Sequence, residues 1–167
     1  MTSTSQPAAV RVALPDVTGF FHGPTFSVTY LVSDPLTKRA ALIDTVLDYD
    51  HKAGRTGTRS IDLVIAEVRE RGLALDWVLE THVHADHLSA APYVKAQLGG
   101  QIGIGARVTE VQRYFGRLFN AGPGFAVDGS QFDRLFGAGD RFAIGSLYVE
   151  VLHTPGHTPP LNKYVAG

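Results

Sequence analysis

The chain has 167 residues, 44% of them hydrophobic, with 15 Lys and Arg against 16 Asp and Glu for a net charge of −1. That is enough apolar chain for one cored domain, expected over residues 10–167, and the balanced charge gives no electrostatic pull toward nucleic acid or an anionic membrane. The absence of cysteine excludes disulfides, thiolate metal ligands and a cysteine nucleophile.

Met1 to Ala9 is polar and small, without the basic start and apolar stretch of a secretion signal. No apolar run approaches the ~20 residues that span a bilayer, so the expected compartment is the cytoplasm. Phe26 to Val32 alternates as a half-buried strand does. Ser33-Asp34-Pro35 is a turn, and Ala40 to Val46 returns as a second apolar strand. Asp44, near its end, reads equally as a group that steadies a metal-bound imidazole or as a turn acid. Asp48 to Arg59 is a polar loop long enough to be functional. Ser60 is the expected cap of a helix whose Ile61, Val64, Ile65 and Val68 form one stripe, closed by Gly72. Asp76 to Thr81 reads as a short buried strand, which completes a β-α-β unit.

That strand runs into Thr81-His82-Val83-His84-Ala85-Asp86-His87. On an extended backbone His82, His84 and Asp86 share one face, while Val83 and Ala85 point into the body of the protein. His87 then starts a turn and swings in beside Asp86. Imidazole and carboxylate donors at this density suit a transition metal. A histidine-rich surface tract would lack the buried strand in front and the small apolar residues between the donors. Ser89 is the expected cap of helix 90–98, with Pro92 in the first turn and Gly99-Gly100 ending it. The donors therefore sit at the carboxyl end of a strand and just before a helix, where catalytic groups collect in α/β proteins.

Gln101 to Gly105 is a further strand, and Val108 to Phe119 a helix whose Tyr114, Phe115 and Phe119 read as core. Asn120 to Gly129 is a glycine-rich loop with the composition of a lid. Arg141 to Ile144 and Leu147 to Leu152 form a hairpin through Gly145-Ser146. The hairpin delivers His153 and then Thr154-Pro155-Gly156-His157, in which Pro155 and Gly156 set a bend. Alone, that bend reads equally as a plain tight turn. Beside the first motif, His157 becomes a remote ligand. His153 reads as packed or supporting, and His22 and His51 as structural or exposed.

The two motifs together resemble the metallo-β-lactamase superfamily, which implies an α/β protein with an αββα sandwich. Glu80 to Leu88, Leu98-Gly99-Gly100, Asp128 to Asp133 and Val151 to Pro159 are further similar to the persulfide dioxygenase group. The resemblance runs from about Phe20 to His157. It implies one Fe(II), with Zn(II) the alternative, and O2-dependent oxidation of glutathione persulfide to sulfite. A homodimer is compatible with it. Iron ligation carries over onto His82 and His157. In binuclear zinc relatives His82, His84 and His157 would form one site, and Asp86 and His87 would begin a second. Asp86 is also the candidate catalytic carboxylate.

The resemblance places a further carboxylate, in a Gly-Asp turn, and a further histidine after Tyr164-Val165-Ala166-Gly167. The second half of the sandwich is therefore expected to be incomplete, with a broad apolar face exposed. Pro159-Pro160-Leu161-Asn162-Lys163 departs from the small apolar residues expected before a final strand. Three functions follow: persulfide oxygenation, zinc-dependent hydrolysis of the glyoxalase II type, and a metal-binding fragment without turnover.

Overall fold

Residues 14–158 and 161–167 are described by the computed structural model. Residues 1–13, including the expected domain start at residue 10, and Pro159-Pro160 lie outside the described residues. Strands β1 (Asp16–His22), β2 (Ser27–Ser33) and β3 (Arg39–Ile43) pair antiparallel in succession. A small hairpin of β4 (Val46–Asp50) and β5 (Arg55–Gly57) leads into helix α1 (Arg59–Glu70). Strand β6 (Ala74–Leu79) then lies parallel to β3, and the short β7 (Leu88–Ser89) pairs with β4. Helix α2 (Ala91–Leu98), strand β8 (Gln101–Gly105), helix α3 (Val108–Leu118) and strand β9 (Arg134–Phe136) complete a six-stranded sheet ordered β1-β2-β3-β6-β8-β9. Strands β10 (Arg141–Ile144), β11 (Leu147–His153) and β12 (Asn162–Ala166) form a separate antiparallel sheet.

The large sheet is buried on both faces, which is why Ala40-Ala41-Leu42 and Trp77-Val78-Leu79 are continuous apolar runs. Leu31, Leu42, Val78 and Ile102 pack on Ile61, Val64, Ile65 and Val68 of α1 and on Val94 of α2. Val32, Ala41, Trp77, Leu79 and Phe136, on the opposite face, meet Phe142, Ile144, Val149 and Val151 of the second sheet. These are the helix, sheet and sheet layers of the expected αββα sandwich. The outer face of the second sheet carries Tyr148, Leu152 and Val165, all exposed, and no helix among the described residues covers it. That is the incomplete second half. Among the described residues, no helix is long and apolar enough to cross a membrane.

One buried acid joins the two sheets. Asp34 is fully buried in the turn after β2, where it accepts the Leu36 amide at 2.8 Å and the Thr37 hydroxyl at 2.6 Å. Its Oδ2 also accepts the Ser146 amide at 2.7 Å and hydroxyl at 2.6 Å from the β10–β11 turn. Gly145 opens that turn with φ +59°, and a Cβ there would collide with Thr37 and Asp34. Burial works to raise the Asp34 carboxyl, but these bonds outweigh it and hold it well below the usual carboxylate range.

Several local expectations are corrected. Ser60 does not cap α1 through its own hydroxyl. Thr58 precedes the helix, and Asp48 reaches across from β4 to accept the Ser60 amide at 2.9 Å and hydroxyl at 2.5 Å. Similarly, Ala90 is the residue before α2, and Ser89 accepts the Ala91 amide at 3.0 Å from within β7. The expected loop 48–59 holds the end of β4 and all of β5, the expected strand Ala40 to Val46 is split between β3 and β4, and β1 was not foreseen. Tyr114, Phe115 and Phe119 are 58%, 41% and 71% exposed, not core. The buried positions of α3 are Val108 and Gln112, so its aromatic stripe faces outward. Segment 120–129 is held against α3, with Gly129 donating to Gln112 at 3.0 Å and Phe125 against Gly116.

Replacing Asp34 with alanine strands the Ser146 amide and should cost about 3 kcal/mol in urea denaturation at neutral pH. The folded pKa lies below the unfolded value of about 3.9. The contribution of Asp34 is therefore full above that pH and is lost as the pH falls through the folded value. The gap between wild type and variant should narrow in that acid window.

Candidate metal centre

Strands β3 and β6 run parallel and end side by side, with Ile43 opposite Leu79. Beyond this rim Asp44 donates its amide to Leu79 O at 2.9 Å and turns into the left-handed region at φ 54°, which an aspartate tolerates better than most residues. Its carboxylate is thereby aimed at the segment after β6. Oδ1 accepts the Thr81 amide at 2.7 Å and His84 Nε2 at 3.0 Å, and Oδ2 accepts the Thr81 hydroxyl at 2.8 Å. Strand β12 holds the same segment from the second sheet. Tyr164 donates its hydroxyl to Glu80 O at 2.9 Å, and Asn162 its amide to Thr81 O at 3.0 Å.

This network assigns a nitrogen to each ring. Thr81 gives its proton to Asp44 and so accepts from His82 Nδ1 at 2.8 Å, leaving the Nε2 lone pair of His82 for a ligand. His84 turns Nε2–H toward Asp44 and Glu80, with Glu80 Oε2 at 3.3 Å, and presents Nδ1 on the other side. His87 donates Nδ1–H to Leu88 O at 3.0 Å. Its Nε2 is buried without a hydrogen-bond partner among the described residues. The His82 and His84 rings lie 4.2 Å apart, His84 and His87 stack at 4.1 Å, and His157 stands edge-on to His82 at 5.2 Å. Ligand atoms of His84, Asp86 and His87 all fall within 4.8 Å of one another, with Asp86 Oδ1 3.7 Å from His84 Nδ1. An orphaned buried imidazole nitrogen amid other nitrogen and oxygen donors fits a divalent transition metal.

Electrostatics reinforce the arrangement. Burial disfavours a charged His84, but the hydrogen bond to Asp44 and the close carboxylates of Asp44 and Glu80 outweigh it and push the imidazole up to about 10. Burial likewise works to raise Asp44, and the bond and charge of His84 with the two Thr81 bonds bring it below its ordinary value. Burial raises Glu80, aided by the neighbouring Asp44 charge and opposed by the nearby His84 imidazole and the Ser89 hydrogen bond. His82 and His87 are lowered, first by burial and then by the positive His84.

The motif side chains converge, but not along an extended strand. β6 stops at Leu79, because Thr81 is drawn off by Asp44 and β12. Val83 is 42% exposed and Ala85 is exposed, so neither enters the body of the protein. The irregular backbone is what lets His84 stack on His87. Asp44 steadies His84 and Thr81. His153 meets Arg107 Nη1 at 2.9 Å. His22 is buried between Thr25 at 2.7 Å and Asp48 at 3.0 Å, and His51 is exposed. Sequence reasoning passed over Glu80 and Tyr164; an acid directly behind an apolar strand was the available signal for the first. Two crevices of the described surface, of about 350 Å³ beside His22 and Ser60 and about 680 Å³ beside Arg39 and Trp77, have none of the motif histidines in their walls.

A histidine-rich loop at the rim of two parallel strands, in an α/β fold of two stacked sheets, defines a class of protein with a candidate metal centre. Residues 22–164 match the model of the metallo-β-lactamase superfamily, and the chain belongs to that superfamily, whose members bind divalent metal. It is 58% identical over 149 residues to the Probable metallo-hydrolase of Burkholderia pseudomallei (strain 1710b), covering 89% of this chain and 51% of that protein. It is 27% identical over 145 residues to the mitochondrial persulfide dioxygenase ETHE1 of Mus musculus, covering 87% and 45%. The crystal structure of ETHE1 from Myxococcus xanthus superposes with a TM-score of 0.67 at 27% identity, covering 91% of this chain and 54% of that one. The chain thus spans about half the length of these relatives.

In the metal-free protein, long-range proton–nitrogen NMR should find His84 titrating near 10, while His82 and His87 titrate below 6.5. A His84 that loses its proton near 6.5 would mean that Asp44 and Glu80 do not hold it.

Proposed function

We propose that this chain carries the centre of a metal-dependent enzyme acting on a small thiol-derived substrate, with persulfide dioxygenase chemistry on one Fe(II) as the leading reading. The supporting observation is the edge-on approach of His157 to His82, whose Nε2 lone pair is left open by the Thr81 bond. Likeness to ETHE1 supports the chemistry. His82 and His157 would hold the iron. Bound iron would supply open coordination positions for a persulfide sulfur and O2. The residues of the chain do the rest. Thr81 fixes the His82 tautomer, and Asp44 fixes Thr81 and His84. Asp86, whose side chain is 52% exposed, is the proposed carboxylate for moving protons between substrate and solvent. By the resemblance, the remaining carboxylate ligand would come from a Gly-Asp turn beyond β12.

A second reading is zinc-dependent hydrolysis. The orphaned His87 Nε2, beside Asp86 and His84, favours it by offering a second set of donors, and so does the name of the Burkholderia relative. Zinc would contribute Lewis acidity at a thioester carbonyl.

Elemental analysis of anaerobically purified protein separates the readings. Iron with oxygen uptake on glutathione persulfide supports the first; zinc with thioester cleavage supports the second. Metal-free protein that takes up neither ion counts against both. Changing His82 or His157 to alanine should lower metal affinity by at least about tenfold, whereas His51→Ala should leave metal content unchanged. Full metal content in His82→Ala would overturn the ligand assignment.

A further inference from the structure

Glu80 has no part in the reading above, yet it is among the most buried acids of the chain at 3% exposure. It follows Trp77-Val78-Leu79 and still donates its amide to Gly103 O at 2.9 Å, so its place suits an apolar side chain. Its Oε1 accepts the Ser89 hydroxyl at 2.5 Å, and Ser89 in turn accepts the Ala91 amide at 3.0 Å at the start of α2. Its Oε2 has no aligned hydrogen bond among the described residues and faces His84 Nε2 at 3.3 Å. A carboxylate oxygen left unsatisfied in the interior costs stability, so packing gives no reason for an acid at this position. The imidazole that Oε2 faces does.

We propose that Glu80 is a positioning residue that sets His84 as a metal donor. The proposal rests on the divalent-metal reading, in which His84 donates through Nδ1, and adds the buried acid that orients it. Asp44, at 3.0 Å from Nε2, keeps the proton there, so that Nδ1 is the nitrogen that gives up its proton to a metal. A second carboxylate oxygen at 3.3 Å from the same nitrogen limits how far the ring can turn. Ser89 ties that second carboxylate to the rigid start of α2. Nδ1 is then held toward Asp86 and the buried His87 nitrogen before any ion arrives. Groups that orient a ligating histidine through its far nitrogen govern metal affinity in this way.

The test uses the 167-residue chain stripped of metal and titrated with Co(II), read by its visible absorption bands. Glu80→Leu, which fills the space without an acceptor, should weaken Co(II) binding by about tenfold or more and shift the bands. Glu80→Gln keeps an oxygen for His84 and an amide for Ser89, and should bind like wild type. Zinc-loaded wild type should show His84 with its proton on Nε2 alone, and Glu80→Leu a mixture of tautomers. If Glu80→Leu does not fold, Ser89→Ala, at an exposed residue, should shift the same bands in the same direction. Wild-type binding with unchanged affinity and bands in Glu80→Leu and Ser89→Ala would overturn the role of Glu80 and leave the metal reading standing. Failure of wild type to bind Co(II) would overturn both.

Discussion

The carboxylate of Asp44 accepts the Thr81 amide at 2.7 Å, the Thr81 hydroxyl at 2.8 Å and the His84 imidazole at 3.0 Å, and the orientations of His82 and His84 follow from those bonds. The first two pull the chain off the end of β6 and turn the Thr81 oxygen toward His82. The third anchors His84 directly. Such a concentration of bonds needs an anion, because a neutral acceptor would hold each donor less strongly. It also needs a counter-charge, since Asp44 and Glu80 are both drawn out of water beside one another. A positive His84 supplies it in the metal-free protein, and a metal at Nδ1 would take over that role by displacing the Nδ1 proton.

The centre depends on both sheets. Parallel strands end at a common rim, so β3 and β6 deliver Asp44 and the motif loop to one place. The backbone of that loop is then held from the other sheet, by Tyr164 and Asn162 of β12. Asp34 fixes the sheets to each other at the far turn, through Ser146. A chain ending before β12 would keep every motif histidine except the support beneath them.

Much of the framework was legible locally. The stripe of α1 and the two-residue turn between β10 and β11 follow from periodicity and a glycine at the right position. Other features were not. β1 has Gly19 and mixed burial along its length, so no clean alternation announces it. The start of α1 is capped by Asp48 from another strand, which no window around Ser60 contains. The apolar stripe of α3 was read as core because periodicity reports that one face is apolar, not whether anything covers it; Phe115 and Phe119 stack on each other in the open at 5.6 Å.

The sequence by itself determined the chemistry that the centre can hold: three imidazoles and a carboxylate within one short loop, with another imidazole on a turn after a hairpin, and no thiolate to compete. Those are properties of residue type and spacing, which the chain carries before it folds. Only the tertiary structure decided which nitrogen of each ring faces the centre and which acids stand behind it. Asp44 lies 40 positions from His84, and hydrogen bonds are short and directional, so the pairing exists only once β3 and β6 lie side by side. Glu80, next to the motif in sequence, acquires its meaning only when the bend after β6 brings His84 back over it.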